Sequence, residues 1–173
     1  MSTIKFQATP YTIGSWTVLR LPQTASKKLP SRGMSMVEGT INGSHFEAPL
    51  EPDGKGSHWF KIEKSMKAKA GDTATLEIAP IEAWPEPTIP ADFKRALTSA
   101  PKSLKVWNEA TPIAHWDWIR WVGMSKNPAT RKKHIVVALS KLAHRERRPC
   151  CFNRSVCCEP AVSNNGVLLA PAN

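Results

Sequence analysis

Four cysteines fall within nine positions of this chain, in the run RRPCCFNRSVCC that spans residues 147 to 158. Cys150, Cys151, Cys157 and Cys158 are all the cysteines it has, and Arg147, Arg148 and Arg154 stand among them. Cationic neighbours favour the thiolate, the form that captures metals and reacts with oxidants. Zinc commonly takes pairs of cysteines separated by about two to four residues, so that one turn supplies two ligands. Here each pair is adjacent, and five residues separate Cys151 from Cys157. Adjacent cysteines chelate poorly in a tetrahedral site, although one from each pair can join His144. Three readings stay open: a metal site, a flexible set of reactive thiols, and packing or exposed thiols without a shared task.

Two further groups of side chains could do chemistry. Trp16, Arg20, Thr40, Asn42, His45, His58 and Trp59 are the polar and aromatic groups of the first half that can line the mouth of a small barrel. Such barrels either fill their interior with side chains or hold one small ligand. The plainer reading makes Asn42 part of a turn and the tryptophans part of the core. Arg131, Lys132, Lys133, Lys141, Arg145, Arg147 and Arg148, with His134 among them, supply a polyanion-attracting surface of low specificity. No helix-turn-helix, zinc-finger or RNA-recognition signature accompanies them. No acid pair, Ser-His-Asp set or phosphate loop appears in the required context, so no catalytic residue is nominated and no cofactor is expected.

The elements that must position these residues divide the chain in two. IKFQA, SWTVLRL, MSMVEGTI, SHFEAPL, SHWFKI and TATLEIAPI read as short strands, with apolar residues on alternate positions. Asn42-Gly43 joins two of them as a type I′ hairpin, whose central residues both need φ > 0. The sequence EPDGKG makes a second turn, and KSMKAKA reads as a single helical turn. Five to seven short strands at this spacing predict a small barrel over residues 1–83. EAWPEPTIP follows, with three prolines in nine residues, so 84–90 reads as a stiff connector and domain boundary.

Beyond it the apolar period changes to that of helices, predicting three to four of them over 91–148. Thr111-Pro112 and Asn127-Pro128 each pair an N-cap with a proline suited to the first turn. Ile135, Leu139 and Leu142 form one inward stripe. Trp118 and Trp121 are surface neighbours at three residues' spacing, and Trp116 lies opposite. A helix this aromatic is expected to be squeezed in a seam between barrel and helices. Residues 149–173 read as an irregular, Cys-rich tail. The fold class is therefore α+β, a small barrel followed by a helical module.

Net charge is +10 over 173 residues, and it is unevenly spread. Residues 1–85 carry ten Lys or Arg against eight Asp or Glu; residues 86–173 carry fourteen against six. The basic half can attract nucleic acid, anionic headgroups or acidic proteins, or can simply keep the protein soluble. No apolar run approaches the roughly 18 residues of a membrane span, and the N-terminus lacks a secretory pattern. A cytoplasmic location is expected, where thiols are kept reduced.

With these motifs in their order, VEGTINGSHFEAPLEPDGKGSHWFKI and AGDTATLEI resemble a small β-barrel domain of unknown function found in bacteria. IPADFKRALTSAP, WDWIRW, NPATRKKHIVVALSKL and the closing RRPCCFNRSVCC resemble the helical YdeI/OmpD-associated (OmdA, bacteriocin-protection) domain. The resemblance spans about residues 4–158. It implies the two-part fold, and a link to envelope stress and resistance to bacteriocins. In one place the chain departs from the pattern. Arginines usually follow the Thr-Arg pair, whereas Lys132, Lys133 and His134 follow Thr130-Arg131 here, and lysine lacks the planar fork of a bidentate contact.

The expected function is a non-enzymatic cytoplasmic binding protein of the stress-protection type. Its barrel would hold a small ligand or a partner's segment, and its basic helices would meet an anionic partner. The alternatives are an enzyme working at a barrel-mouth pocket or with the thiols, and a polyanion binder.

Overall fold

The computed structural model describes residues 2–150 and 152–172. The fold is α+β, and the chain divides into two compact units. One holds the residues up to Ala83 together with Arg154–Cys157 and those from Ala161 onward; the other holds Trp84–Asn153 and Cys158–Pro160.

In the first unit, seven strands form one antiparallel sheet: β1 (Ile4–Ala8), β2 (Tyr11–Ile13), β3 (Trp16–Arg20), β4 (Ser35–Ile41), β5 (Ser44–Pro52), β6 (His58–Lys61) and β7 (Ala74–Pro80). Their order is β1-β7-β4-β5-β6-β3-β2, so the two edge strands are consecutive in sequence. Three residue steps join Ala8 to Tyr11, at most about 11 Å of extended chain. Seven flat strands would hold their edges about 29 Å apart. The sheet must curl, and it forms a half-open barrel with Pro10 between its edges.

The interior is filled. Ala74, Leu76 and Ile78 point inward from β7 while Thr75 and Glu77 point out. They meet Val37, Ile41, Leu50 and Leu19, and Phe46 stacks on Phe60 with ring centroids 5.3 Å apart. One end is closed by α1 (Gln23–Ser26), whose Ala25 joins this core along with Leu29 beyond it. At the other end Asn42 and Gly43 turn the β4–β5 hairpin with φ of 48° and 81°, the pattern type I′ demands. The KSMKAKA segment forms turns and bends in place of the expected helical turn. Met66 is drawn into the barrel core, and Asn42 Nδ2 donates to the Lys67 carbonyl at 2.6 Å. Those anchors pin the segment to the barrel end.

The tail is more ordered than its composition implies. Asn165 and Gly166, at φ of 49° and 77°, turn a second hairpin of two-residue strands, β8 (Ser163–Asn164) and β9 (Val167–Leu168). Val162, Leu168 and Cys157 pack with Ile13, Val18 and Trp59 in a cluster separate from the interior one. Strand alternation explains this second cluster. Val18 and Trp59 point away from the barrel, opposite to Leu19 and Phe60, and the tail roofs them. Asp53 accepts from the Leu168 amide through its carbonyl at 2.9 Å, and Tyr11 Oη donates to the Leu169 carbonyl at 2.8 Å.

The second unit contains α2 (Ala91–Thr98), α3 (Pro101–Glu109), α4 (Pro112–Val122) and α5 (Pro128–Ala143). Thr111 Oγ1 accepts from the Ala114 amide, and Asn127 Oδ1 accepts from Ala129 and Thr130. Each cap satisfies amides that the first turn leaves without intrahelical partners. Ile135 and Leu142 of α5 meet Phe93, Leu97, Trp107 and Trp118, with Leu139 partly buried beside them. Trp118 is fully buried in this cluster, with the Trp121 ring edge-on at 6.0 Å. All the residues of the cluster belong to the helical unit, so the indole completes that unit's own core where the sequence led us to expect an interdomain seam. The Pro-rich connector is tied to α4, since Trp116 Nε1 donates to the Pro85 carbonyl at 2.9 Å and His115 Nδ1 lies 2.7 Å from Glu86 Oε2.

Candidate functional site

The seven barrel residues do not converge. Trp16 and Trp59 lie on the outer side of the sheet, in the cluster beneath the tail, with ring centroids 6.4 Å apart. Arg20 Nε donates to Asp53 Oδ2 at 2.6 Å, while Asp53 Oδ1 accepts from the amides of Lys55 and Ser57. Arg20 is thus the counter-ion of a buried turn carboxylate in EPDGKG. His58 is buried at the α1 end, its Nδ1 2.7 Å from Ser26 Oγ and its Nε2 2.7 Å from the Gly33 carbonyl. A carbonyl can only accept, so Nε2 carries a proton, and the ring latches α1 and the following loop to the barrel.

Thr40 and His45, a cross-strand pair, share a shallow outer concavity with Glu38 and Glu77. Of the seven, Asn42 borders an open concavity of about 670 Å³ at the hairpin end, with Thr17, Met66 and Asp72. Asn42 is already committed there: besides its bond to Lys67, its Oδ1 accepts from the Thr75 amide at 3.0 Å. It does a turn residue's work at the rim of an open cavity.

The basic residues separate into two groups. Arg131 forks onto Asp92 through Nε to Oδ2 at 2.7 Å and Nη2 to Oδ1 at 2.9 Å, binding α5 to the first turn of α2. Lys141 Nζ lies 3.4 Å from Glu146, and Arg148 Nε lies 3.7 Å from buried Asp117. Lys132, Lys133, Arg145 and Arg147 are exposed and carry no ion pair among the described residues. Lys132 and Lys133 stand near the start of α5, and Arg145 and Arg147 lie just beyond its end. Arg145 takes φ of 65° just past the helix, where glycine is the commoner residue.

The Arg131 fork, above all, lowers Asp92 from the usual carboxylate value of 3.8 to about 2. The folded value lies below the unfolded one, so the pair's stability is present above about pH 4 and is lost as pH falls towards 2. The Asp92 side chain is 38% exposed, and solvent screening limits the effect. Asp92→Asn should lower stability at neutral pH by under about 1 kcal/mol. The difference from the parent should vanish near pH 2, as urea titrations at the two pH values will read.

The cysteines part company as well. Cys150 is exposed, Cys157 is buried in the strand unit's outer cluster, and Cys158 is buried in the helical unit. Arg120, buried on α4, places Nη2 3.5 Å from Cys158 Sγ and its guanidinium carbon 5.3 Å from the Phe152 ring centre. Cys151 lies outside the described residues. Among the described residues no three His, Cys, Asp or Glu side chains converge as metal ligands. Of the three readings left open, burial of Cys157 and Cys158 fits packing for these two thiols, and Cys150 alone is exposed among the described cysteines. The residues that sequence reasoning missed are Asp53, Arg120 and Asp117, all buried charges; an acid ahead of Gly-Lys-Gly was the one available signal.

No helix is long and apolar enough to cross a membrane among the described residues. No curated protein matches the chain significantly. Residues 2–78 match a domain of unknown function (DUF1905), and residues 86–145 match OmdA, described as bacteriocin-protection, YdeI or OmpD-associated. Neither match reaches the tail beyond residue 145. The chain thus carries a DUF1905 domain followed by an OmdA domain, the order its sequence motifs led us to expect.

Proposed function

We propose that this protein is a non-enzymatic binding protein of the bacteriocin-protection type, acting in the cytoplasm, whose helical unit docks onto an anionic partner. The carrying observation is the set of exposed, unpaired cations Lys132, Lys133, Arg145 and Arg147 at the two ends of α5. It stands on a unit with thirteen Lys or Arg against six Asp or Glu. That field attracts polyanions and acidic proteins and repels a cationic peptide, so protection by direct capture of a cationic toxin on this face is disfavoured. The packed barrel interior supports a scaffold role for the first unit. The open cavity beside Asn42 is a place where that unit could take a small ligand.

Heparin or duplex DNA serves as the probe. Affinity should fall steeply between about 50 and 200 mM salt, because counterion release drives such contacts. Replacing Lys132 and Lys133 together by Glu should reduce the salt slope by about two, one for each lost contact. No binding at low salt would leave the charge as a solubility device and overturn the reading.

A further inference from the structure

The groove between α2 and α5 combines cationic side chains with an apolar floor. It encloses about 450 Å³ over Ile135 and Leu139 of α5 and Ala96 of α2. Arg95 stands on the α2 side and Lys132 on the α5 side. Asp92 is the one acid in its lining, and the Arg131 fork neutralises it, so the rim is net positive. Val136, 62% exposed, stands at the lip, and Val137 is 39% exposed beside it. Valine on an exposed helical position gains little from burial and is a weaker helix former than Lys, Glu or Ala. Its side chain is better explained by what it touches when a partner is bound.

We propose that this groove receives an acidic amphipathic helix of a partner protein. The proposal rests on the anionic-partner reading above and names the partner's chemistry. Aliphatic side chains spaced three and four residues apart would settle on Ile135, Val136 and Leu139. Carboxylates on the two flanks of that stripe would meet Arg95 and Lys132, which face each other from different helices. Charge complementarity selects an acidic segment and rejects a basic one. A lipid chain would need a deeper, enclosed apolar slot. An open groove with a short aliphatic floor suits side chains better than an acyl tail.

The test uses the full chain and two fluorescein-labelled helical peptides. One carries a leucine stripe flanked by glutamates; its twin carries lysines in place of the glutamates. Fluorescence anisotropy should show binding of the first and none of the second. Val136→Gln, which leaves the charge unchanged, should weaken binding by about tenfold, as removal of an apolar contact buried on docking does. Lys132→Glu should weaken it similarly, and Lys102→Glu, on α3 outside the groove, should leave it unchanged. Circular dichroism confirms that each variant is folded, and Val136→Ala gives a smaller loss in the same direction. Equal affinity of Val136→Gln and the parent, with heparin binding intact, would sink the groove while sparing the basic-surface reading. Failure of both the acidic peptide and heparin to bind at low salt would sink the two together. Binding of anionic vesicles that Val136→Gln abolishes, without peptide binding, would make the face a lipid surface and overturn the proposal.

Discussion

Trp118→Ala should lower the stability of the helical unit by about 3 to 5 kcal/mol, the range for truncating a buried large aromatic side chain. The indole is fully buried between the rings and aliphatic chains of all the packed helices, including Phe93, Leu97 and Leu142. Its removal leaves a cavity that helices held by capped termini cannot easily collapse into. It also strands the Arg147 carbonyl, which accepts from Trp118 Nε1 at 2.9 Å. That bond ties the basic extension after α5 back onto the core. The variant should therefore lose order at Arg147 as well as midpoint. Trp116→Ala is the comparison: its ring is only partly buried and its polar contact is to the connector, so it should cost clearly less. Chemical denaturation followed by far-UV circular dichroism measures both. If Trp118→Ala unfolds within about 1 kcal/mol of the parent, the packing described for this core is wrong.

The same tryptophans show how far the sequence could be read. Three-residue spacing correctly made Trp118 and Trp121 neighbours, because helical periodicity is a local property. Which body they pack against is not local, and a crowded helix looked like a seam when it was the centre of its own unit. The helix starts were legible for a related reason. An N-cap side chain bonds amides two or three residues away, so Thr111-Pro112 and Asn127-Pro128 carry their partners with them. Barrel closure was legible only as a strand count, since the Thr9-Pro10 link between the sheet's edges has no signature of its own.

Charge shows the same division between local and distant information. The number and sign of the cations on α5 can be counted, but not which are spent internally. Arg131 meets an aspartate thirty-nine residues away, and Arg20 one thirty-three residues away. Two Asn-Gly turns carry almost the same backbone angles, yet only Asn42-Gly43 was read as a hairpin. Its flanking strands run for seven and nine residues of alternating character, whereas those around Asn165-Gly166 are two residues each. Two residues cannot display a period.

That second hairpin determines how the cysteines behave. A thiol reagent should modify Cys150 rapidly in the native, reduced protein, and Cys157 far more slowly, because the tail must lift before the reagent can reach it. Cys157 donates its amide to the Gly166 carbonyl at 2.8 Å, and the same turn presses on Gly54. A Cβ added at Gly54 would fall inside the Gly166 carbonyl oxygen and crowd the Val167 backbone. Both neighbours are backbone atoms, so only displacement of the hairpin relieves the clash. Overpacking of this kind costs about 1 to 3 kcal/mol. If most of it falls on the closed state of the tail, Gly54→Ala should speed labelling of Cys157 by roughly ten- to a hundredfold. Gly56→Ala separates the clash from backbone strain. Gly54 and Gly56 have φ of 80° and 87°, so alanine is strained at both, but a Cβ at Gly56 meets nothing within 4 Å. Gly56→Ala should lose stability without exposing Cys157. Tandem mass spectrometry of the labelled peptide distinguishes Cys157 from its neighbour Cys158. Equal labelling rates for the two alanine variants would mean that contact with Gly54 does not hold the tail down, and rapid labelling of Cys157 in the parent would mean that the tail does not shield it at all.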